Sequence, residues 1–461
     1  MSFLKIVASF LREKAFSLAL TALTLGLAVN ALAQQVPVSS ALAAAPVAVP
    51  AATSVAATPA APAISAGDTA WVLTSAALVL LMTPGLAFFY GGMVRRKNVM
   101  ATIMQSFFLV ALISVQWVIW GYSLAFSPGN SYIGSLNWLF LHDMPAVNPA
   151  APTVPHYAFM IFQAMFAIIT PALICGAYAE RVKFKGFVVF SLLWATFVYD
   201  PIAHWVWGGG FFSNALDFAG GTVVHMSSGY SALTLALLLG TRKGYGKNPM
   251  VPHNLTLVLL GASLLWFGWF GFNAGSAGAA NALACNAFVT TNTATAMSAI
   301  TWCLIELFHH GKATSLGAAS GAVAGLVAIT PACGYVDIMG ALIIGFIVAF
   351  LCYAAIQVKV KMGYDDSLDA FGVHGVGGTW GALATGLFAL KAINGTDGWF
   401  AGNPAQFFIQ LKTVGCTAVY SVLCTVILYL IVEKTIGLKV APRDEEVGLD
   451  LSQHGEEGYN F

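Results

Sequence analysis

Two stretches decide the fold of this chain: GGTVVHMSSGYSALTLALLLG (220–240) and FGVHGVGGTWGALATGLFAL (371–390). Each is long and apolar enough to cross a membrane, yet each carries one histidine, His225 and His374 respectively. A charged side chain at the centre of a bilayer costs roughly 2.5–3.5 kcal/mol, so ionisable residues there usually face a bundle interior or a solute pathway. The pair therefore predicts a pathway through a helical membrane protein.

The composition agrees with a membrane protein that crosses the bilayer many times. Of 461 residues, 58% are hydrophobic and only 8% are charged, whereas a soluble domain carries about 25% charged residues. The net charge of +1 is uninformative, but the lack of a basic cluster argues against nucleic acid as a partner. The seven cysteines form no CxxC pair, so we interpret them as small packing residues and predict no disulfide framework.

The N-terminal region resembles a processed leader followed by a linker. Residues 1–33 combine a positive start, an apolar core and a small-x-small site at Ala31-Leu32-Ala33, which is typical of a signal peptide. The alternative is an uncleaved extra helix. Residues 34–66 are rich in Ala and Pro without charge, so we interpret them as an extracytoplasmic linker.

Eleven long apolar runs follow from residue 67 onward. Each can span the roughly 30 Å hydrocarbon core, which takes about 20 helical residues. We therefore predict an all-α fold with eleven transmembrane helices. The runs lie near 69–92, 99–126, 156–180, 185–208, 217–241, 253–277, 283–309, 313–331, 336–358, 369–391 and 405–433.

The basic residues alternate with these runs. Those that follow odd-numbered runs are Arg95, Arg96, Lys97, Arg181, Lys183, Lys185, Arg242, Lys243, Lys247, Lys312, Lys359, Lys361, Lys434, Lys439 and Arg443. The other side has only Lys391 and, near a helix end, Lys412. Because basic residues accumulate in cytoplasmic loops, we expect the mature N-terminus outside and the C-terminus inside. The transport domain would span 67–434 and the cytoplasmic tail 435–461.

Short matches indicate an internal duplication. ITPA occurs at 169–172 and at 329–332, and DFAG at 217–220 aligns with DAFG at 369–372. Runs 1–5 then match runs 6–10. Because five is odd, the second half is inverted in the membrane, as in many transporters. The prediction is an inverted 5+5 repeat plus one extra helix.

Under this repeat the two histidines are symmetry mates that enter from opposite faces. His225 lies eight residues after Asp217, about 12 Å along a helix, and His374 lies five residues after Asp369, about 8 Å along. Glycines beside both histidines permit close helix approach. Two unrelated core histidines remain the alternative. A metal site would need a third ligand at similar depth, and none is evident. A pair of imidazoles can instead handle a proton or line a pore.

Aromatic and polar residues gather at the outer ends of several runs. Aromatic faces attract cations by about 2 kcal/mol or more when desolvated, although an interfacial aromatic belt is the alternative. The residues are Phe162, Gln163, Phe166, Trp207, Trp269, Phe272, Asn273 and Ser276.

Three acidic residues near helix ends have more than one interpretation. Asp217 begins run five, where aspartate caps a helix, and it is also placed to attract a cation. Asp369 has the same ambiguity, with a cap favoured. Asp200 and His204 lie four residues apart, a spacing that suits a metal but gives an incomplete site.

These motifs resemble bacterial ammonium transporters of the Amt/Rh family over roughly residues 67–461. The matching stretches are GLAFFYGGMVRRKN (85–98), FQAMFAIITPALICGAYAER (162–181), WGGG (207–210), LDFAGGTVVH (216–225), WFGFNAGSAG (269–278), ITPACGY (329–335), DAFGVHGVGG (369–378) and LDLSQHGEEGY (449–459).

The resemblance implies a role for each matched residue. Phe166, Trp207 and Ser276 would recruit ammonium, and Phe166 with Phe272 would close the pore. His225 and His374 would line the pore. Asp217 would be the acidic residue that transport needs without touching the substrate. Gln163, Trp269 and Asn273 match family positions near the mouth.

The resemblance also implies a homotrimer in the cell membrane, with a tail that helps a PII-type regulator block the pores. No cofactor, metal or enzymatic activity is expected, since no nucleophile–base pair is evident. The alternatives are an ammonium sensor or a Rhesus-like gas channel. Sensors of this family usually carry a fused signalling domain, and only about 27 residues follow run eleven. The trio of Trp207, Phe166 and Ser276 favours a site that recruits a cation over a gas channel.

Overall fold

A computed structural model describes residues 63–459 of the chain. The signal peptide predicted at 1–33 and almost all of the linker predicted at 34–66 lie outside the described residues. The same holds for the last two residues of the tail.

The described part of the chain is helical, with isolated β-bridges but without a strand. Eight of its helices are long and apolar enough to cross a membrane by length and composition. The protein is therefore a multi-pass membrane protein, as the sequence predicts. A ninth apolar helix, Ser315–Ile329, is shorter.

Each of the eleven apolar runs coincides with a helix or a continuous helical series. We number these α1 to α11. They are α1 Ala66–Met93, α2 Arg96–Phe126, α3 His156–Tyr178, α4 Phe184–Val206, α5 Gly221–Leu239, α6 Leu255–Gly275, α7 Ala282–His310, α8 Ser315–Ile329, α9 Ile338–Met362, α10 (Phe371–Gly375 and Val376–Phe388) and α11 Pro404–Thr435.

Side-chain caps set the beginnings of several helices. Ser65, Asn254, Asn281, Thr314 and Asp337 each accept a hydrogen bond from a backbone N–H in the first turn of the helix that follows. Such caps satisfy N–H groups that have no partner within the helix. The polar residues between the apolar runs therefore explain why the predicted boundaries are accurate to a few residues.

Glycines allow the central helices to touch backbone to backbone. A Cβ atom on Gly261 of α6 would lie 2.2 Å from the backbone nitrogen of Phe89 in α1. Where α5 crosses α10, a Cβ atom on Gly229 would lie 2.2 Å from the backbone nitrogen of Gly375. The second crossing brings the two histidine-bearing helices together.

One end of the bundle, which we call the basic face, carries a buried ion-pair cluster. Arg181 is fully buried and its Nη1 donates to Asp365 at 2.7 Å, while Arg242 pairs with both Asp365 and Glu180. The charges of Arg181 and Arg242 lower the pKa of Asp365 against the opposing effect of burial. The cluster joins the loops after α3, α5 and α9.

The tail packs across the basic face. Asp450 accepts hydrogen bonds from the backbone nitrogens of Met100 (3.1 Å) and Ala101 (2.8 Å) at the start of α2. The Nζ atom of Lys97 donates to the carbonyl oxygen of Glu445 at 2.9 Å. His253 and Tyr459 form a hydrogen bond of 3.1 Å. The tail is thus an ordered part of this face.

Candidate functional site

A cavity of about 330 Å³ opens on the face opposite the basic face. We call it the vestibule. Its polar lining residues include Gln163, Trp207, Asp217, Ser276, Tyr335 and Asn394, and its aromatic ones include Phe162 and Phe166. The sequence-predicted recruitment residues Phe166, Trp207 and Ser276 therefore lie together around one cavity.

The aromatic rings of the vestibule have fixed orientations. The centroids of Phe166 and Trp207 are 5.9 Å apart with the rings nearly perpendicular, and Phe162 lies 4.9 Å from Phe166. The indole N–H of Trp207 donates to the carbonyl oxygen of Asp217 at 2.9 Å. This bond locks the indole, and ring faces held in this way attract a cation.

Two oxygen atoms at the vestibule remain able to accept hydrogen bonds. The hydroxyl of Ser276 donates to the carbonyl oxygen of Phe272 at 2.8 Å, which leaves its lone pairs available. The Oε1 atom of Gln163 is buried and has no partner in the described part of the chain. An N–H donor that enters the vestibule can therefore be hydrogen-bonded.

Phe166, which lines the vestibule, contacts Phe272, which lines a second and smaller cavity. Their centroids are 4.2 Å apart, and both rings are buried. The ring of Phe272 then lies nearly parallel to that of His225, at 6.1 Å. The two phenylalanine rings thus lie between Trp207 and His225 in a series of ring contacts.

His225 and His374 lie beyond these two rings and are almost completely buried. Their rings are close to parallel, with centroids 5.4 Å apart. They border a cavity of only about 10 Å³, which is otherwise lined by apolar side chains and Trp269. A space of this size holds about one water molecule. The Nδ1 atoms of both rings have no partner within residues 63–459.

A threonine sets the tautomer of His225. The hydroxyl of Thr330 donates to the carbonyl oxygen of Leu326 at 2.7 Å, so it can only accept from Nε2 of His225, at 3.4 Å. It also accepts from the indole N–H of Trp269 at 2.8 Å. This assignment makes Nε2 the donor of a neutral ring and leaves the lone pair of Nδ1 free in the narrow cavity.

Each histidine belongs to a π-helical turn that an aspartate caps. In the first turn, Gly221–Met226, Asp217 accepts from the backbone nitrogens of Gly220 (2.8 Å), Gly221 (2.6 Å), Thr222 (2.8 Å) and Val223 (3.2 Å) and from the hydroxyl of Thr222. The cap that the sequence predicts at Asp217 is present, and it uses both carboxylate oxygens.

The second turn differs from the sequence alignment. Asp366, not Asp369, caps Phe371–Gly375 by accepting from the backbone nitrogens of Ala370 (3.0 Å) and Phe371 (2.8 Å). Asp369 instead adopts a left-handed conformation with φ 61° and pairs with Lys359. Asp366 precedes His374 by eight residues, the spacing from Asp217 to His225. The alignment of Asp217 with Asp369 is therefore out of register by three residues.

Other residues singled out in the sequence lie away from the vestibule. Asn273 is fully buried and donates to the hydroxyl of Thr291 at 2.8 Å. Trp269 lies deeper than the mouth, beside His225, at a centroid distance of 5.4 Å. Asp200 and His204 have different hydrogen-bond partners, and the described residues contain no group of three or more His, Cys, Asp or Glu that could hold a metal.

Sequence reasoning missed Asp366, Thr330, Tyr335 and Asn394. The ITPA match contains Thr330, and the eight-residue spacing could have identified Asp366. Tyr335 lies in the connection after α8, where burial, and then the charge of Asp217, raises its pKa to about 12. It is thus a neutral phenol. No pattern in the sequence brings Asn394 to the vestibule.

Comparison with known proteins is consistent with this geometry. A sequence model described as the Ammonium Transporter Family matches residues 70–459. An ammonium transporter of Bacillus subtilis is 50% identical over 400 residues, which cover 85% of this chain and 98% of the relative. Ammonium transporter Amt1 of Archaeoglobus fulgidus is 47% identical over 396 residues, covering 85% and 99%.

Solved structures of related proteins have the same fold. A crystal structure of Candida albicans Mep2 superposes with a TM-score of 0.79 at 36% identity, covering 83% of this chain and 88% of Mep2. A structure described as a sensor Amt protein has a TM-score of 0.79 at 28% identity, covering 84% and 98%.

Proposed function

Because the chain belongs to the ammonium transporter family, we propose that it moves ammonium across a membrane through a pore that begins at the vestibule. One observation carries the mechanism: Trp207, Phe166, Phe272, His225 and His374 form an unbroken series of ring contacts from the vestibule to the centre of the bundle.

Recruitment would take place in the vestibule. The faces of Phe166 and Trp207 attract the cation, and Ser276 accepts one of its N–H bonds. Asp217 would act at a distance, because its two oxygens already accept five hydrogen bonds from the turn. Its negative charge still favours a cation nearby.

Ammonium would lose a proton before ammonia passes the ring contact of Phe166 and Phe272. An isolated charge is very costly in an apolar interior, and the cavity below the phenylalanines is almost entirely apolar. Neutral ammonia has N–H bonds that can meet the lone pair on Nδ1 of His225. The pore-lining role of His225 and His374 follows from this match.

The proposed topology is eleven crossings with the N-terminus outside and the C-terminus inside, which places the basic face in the cytoplasm. The contacts of α1 with α6 and of α5 with α10 support the inverted 5+5 repeat, because these helices are repeat mates. The matching caps at Asp217 and Asp366 support it further. Residues 1–33 would direct export, and 34–66 would link to the domain at 67–434.

We further propose a homotrimer in the cell membrane and a PII-type regulator at the basic face. The docked tail supports a regulatory surface, because Glu445 and Asp450 both accept hydrogen bonds from the first residues of α2. A pull-down with a PII protein, comparing the full chain with one lacking residues 443–461, tests this. Equal capture by both would contradict a role for the tail.

An ammonium sensor is the second candidate, and the likeness to the sensor Amt protein favours it. A sensor and a transporter can share the vestibule, but only a transporter gives uptake. A Rhesus-like gas channel would conduct without a cation site, so removing Trp207 would leave its flux unchanged.

Uptake of labelled methylammonium into proteoliposomes tests the recruitment site. Trp207→Leu removes the indole face, so we expect the apparent KM to rise about 30-fold, since a desolvated cation–π contact contributes about 2 kcal/mol. Trp399→Leu is the matched control, because that tryptophan is 41% exposed and lies outside the vestibule. Equal KM values for the two variants would contradict the site.

A further inference from the structure

His204 is a buried histidine with an unusual pair of partners. It lies in the last turn of α4, three residues before Trp207, and its side chain is 2% exposed. Its Nδ1 is 3.0 Å from the carbonyl oxygen of Ala125, and its Nε2 is 2.8 Å from the carbonyl oxygen of Asn130. The first bond reaches the last turn of α2, and the second reaches the segment that follows α2.

Carbonyl oxygens can only accept hydrogen bonds, so both ring nitrogens must donate. A neutral imidazole has one N–H group and one lone pair, and it would direct that lone pair at a carbonyl oxygen. His156 and His253 differ in this respect. Each has one carbonyl partner and one phenol partner, Tyr122 or Tyr459. The phenol O–H can donate to the unprotonated ring nitrogen, so a neutral imidazole satisfies both contacts.

The position of His204 at the end of its helix favours a positive charge, although His204 forms no ion pair with Asp200. The carbonyl dipoles at the C-terminal end of a helix favour a cation. Asp200 lies one helical turn earlier, and its Oδ1 has no partner in the described chain, while its Oδ2 accepts from Gln116 at 2.8 Å. The other titratable groups on the elements packed against this turn are Tyr122, Tyr199 and His225. Asp217 caps the last of these elements.

The backbone carbonyl and the ring of His204 both contact the turn that carries Trp207. The backbone nitrogens of Gly208 and Gly210 donate to the carbonyl oxygen of His204 at 3.0 and 2.9 Å. A Cβ atom on Gly208 would lie 2.0 Å from the carbonyl oxygen of Ala125 and 2.7 Å from Nδ1 of His204. The imidazole is thus packed between the turn and the segment after α2.

We propose that His204 is a positioning residue that carries both ring protons and fixes Trp207 at the vestibule. Two donated hydrogen bonds hold its ring, and the turn 207–210 folds against it. The protonation follows from the hydrogen bonds alone. The consequence for transport rests on the proposed function.

Nitrogen-15 solid-state NMR of the full-length protein in lipid vesicles at neutral pH tests the protonation. The sample carries nitrogen-15 histidine and carbon-13 carbonyl alanine, because Ala125 supplies one partner of the ring. We expect the histidine ring that lies close to a labelled alanine carbonyl to show the signals of two protonated nitrogens. One protonated and one unprotonated nitrogen would overturn the proposal, and this result needs no variant.

Transport kinetics test the positioning. In His204→Gln the amide can donate to one carbonyl but directs its own oxygen at the other. We expect the apparent KM for methylammonium to rise about tenfold, the size of one lost hydrogen bond to a charged group, while the maximal rate changes little. His142→Gln, an exposed histidine in the loop after α2, is the control.

The outcomes separate the two claims. An unchanged KM in His204→Gln, or a fall in maximal rate at constant KM, would overturn the positioning role. If the wild-type protein takes up no methylammonium, the proposed function fails, and the NMR result still decides the proton count of His204. If His204→Gln does not fold, the wild-type NMR spectrum decides the proposal.

Discussion

The two histidine-bearing turns are built alike but have different surroundings. In both, an aspartate eight residues before the histidine caps a π-helical turn. Asp217 has no ion-pair partner within residues 63–459 and borders the aromatic vestibule. Around Asp366, by contrast, Lys359 donates to its backbone carbonyl oxygen at 2.9 Å and pairs with Asp369.

This difference indicates where a free cation is attracted. On the vestibule side the carboxylate charge is unpaired, and the rings nearby provide a desolvated surface. On the basic face a lysine already supplies the positive charge. Under the proposed inverted repeat and pore, cation recruitment would be confined to the vestibule side, because the surroundings of the two caps differ.

Forcing the two turns apart should have the largest effect. In Gly229→Ala the new methyl group would lie 2.2 Å from the backbone nitrogen of Gly375, so α5 and α10 must separate. We expect a loss of about 3 kcal/mol, the upper end for overpacking, seen as a lower thermal midpoint in detergent. Gly415→Ala is the control, because a Cβ atom there meets nothing within 4 Å. Equal midpoints would contradict the close crossing.

Neutralising the two caps should separate their roles. Asp217→Asn loses the charge and directs an NH2 group at backbone donors, so uptake should fall about 100-fold, since unsatisfied buried groups cost about 1–3 kcal/mol each. Asp366→Asn should reduce uptake about tenfold, because Lys359 remains and fewer N–H groups depend on the carboxylate. Initial rates of methylammonium uptake measure both, and equal losses would remove the distinction.

Opening the ring contact between Phe166 and Phe272 should have a smaller effect than either. The Phe166 and Phe272 rings touch at 4.2 Å, and Phe272→Leu opens that contact while the vestibule keeps Phe166 and Trp207. We expect a change of about threefold in maximal rate with KM preserved, because the loss is about that of a partial ring contact. A tenfold rise in KM would instead assign Phe272 to the recruitment site.

The smallest effect concerns pH. Burial raises the pKa of Asp366 to about 6, with Lys359 opposing. The pKa of Asp366 is higher in the folded protein than in the unfolded chain, where it is near 3.8. The protonated carboxyl therefore stabilises the folded protein at low pH, and this contribution is lost as pH rises through 6. Between pH 5 and 7 this should remove about 1 kcal/mol. The thermal midpoints of the wild type and of Asp366→Asn should converge as pH rises from 5 to 7. Parallel curves for the two proteins would contradict the raised pKa of Asp366.

The sequence predicted the helices because each apolar run ends at a cap, a glycine or a charge. It also predicted which residues meet at the vestibule, since Phe166, Trp207 and Ser276 carry family motifs. It misplaced the second cap because the choice between Asp366 and Asp369 depends on a left-handed residue at 369, which hydrophobic pattern does not encode. Asn273 was expected near the mouth, but its partner on α7 is set by packing.

The most direct test of the central claim is an ammonium pulse on proteoliposomes that contain the full-length protein, with flux and internal pH recorded together. We predict saturable ammonium flux in the wild type, no response to an equal potassium pulse, and loss of the flux in the His225→Ala, His374→Ala double variant. Unchanged methylammonium uptake and current in that double variant would contradict conduction past the histidines.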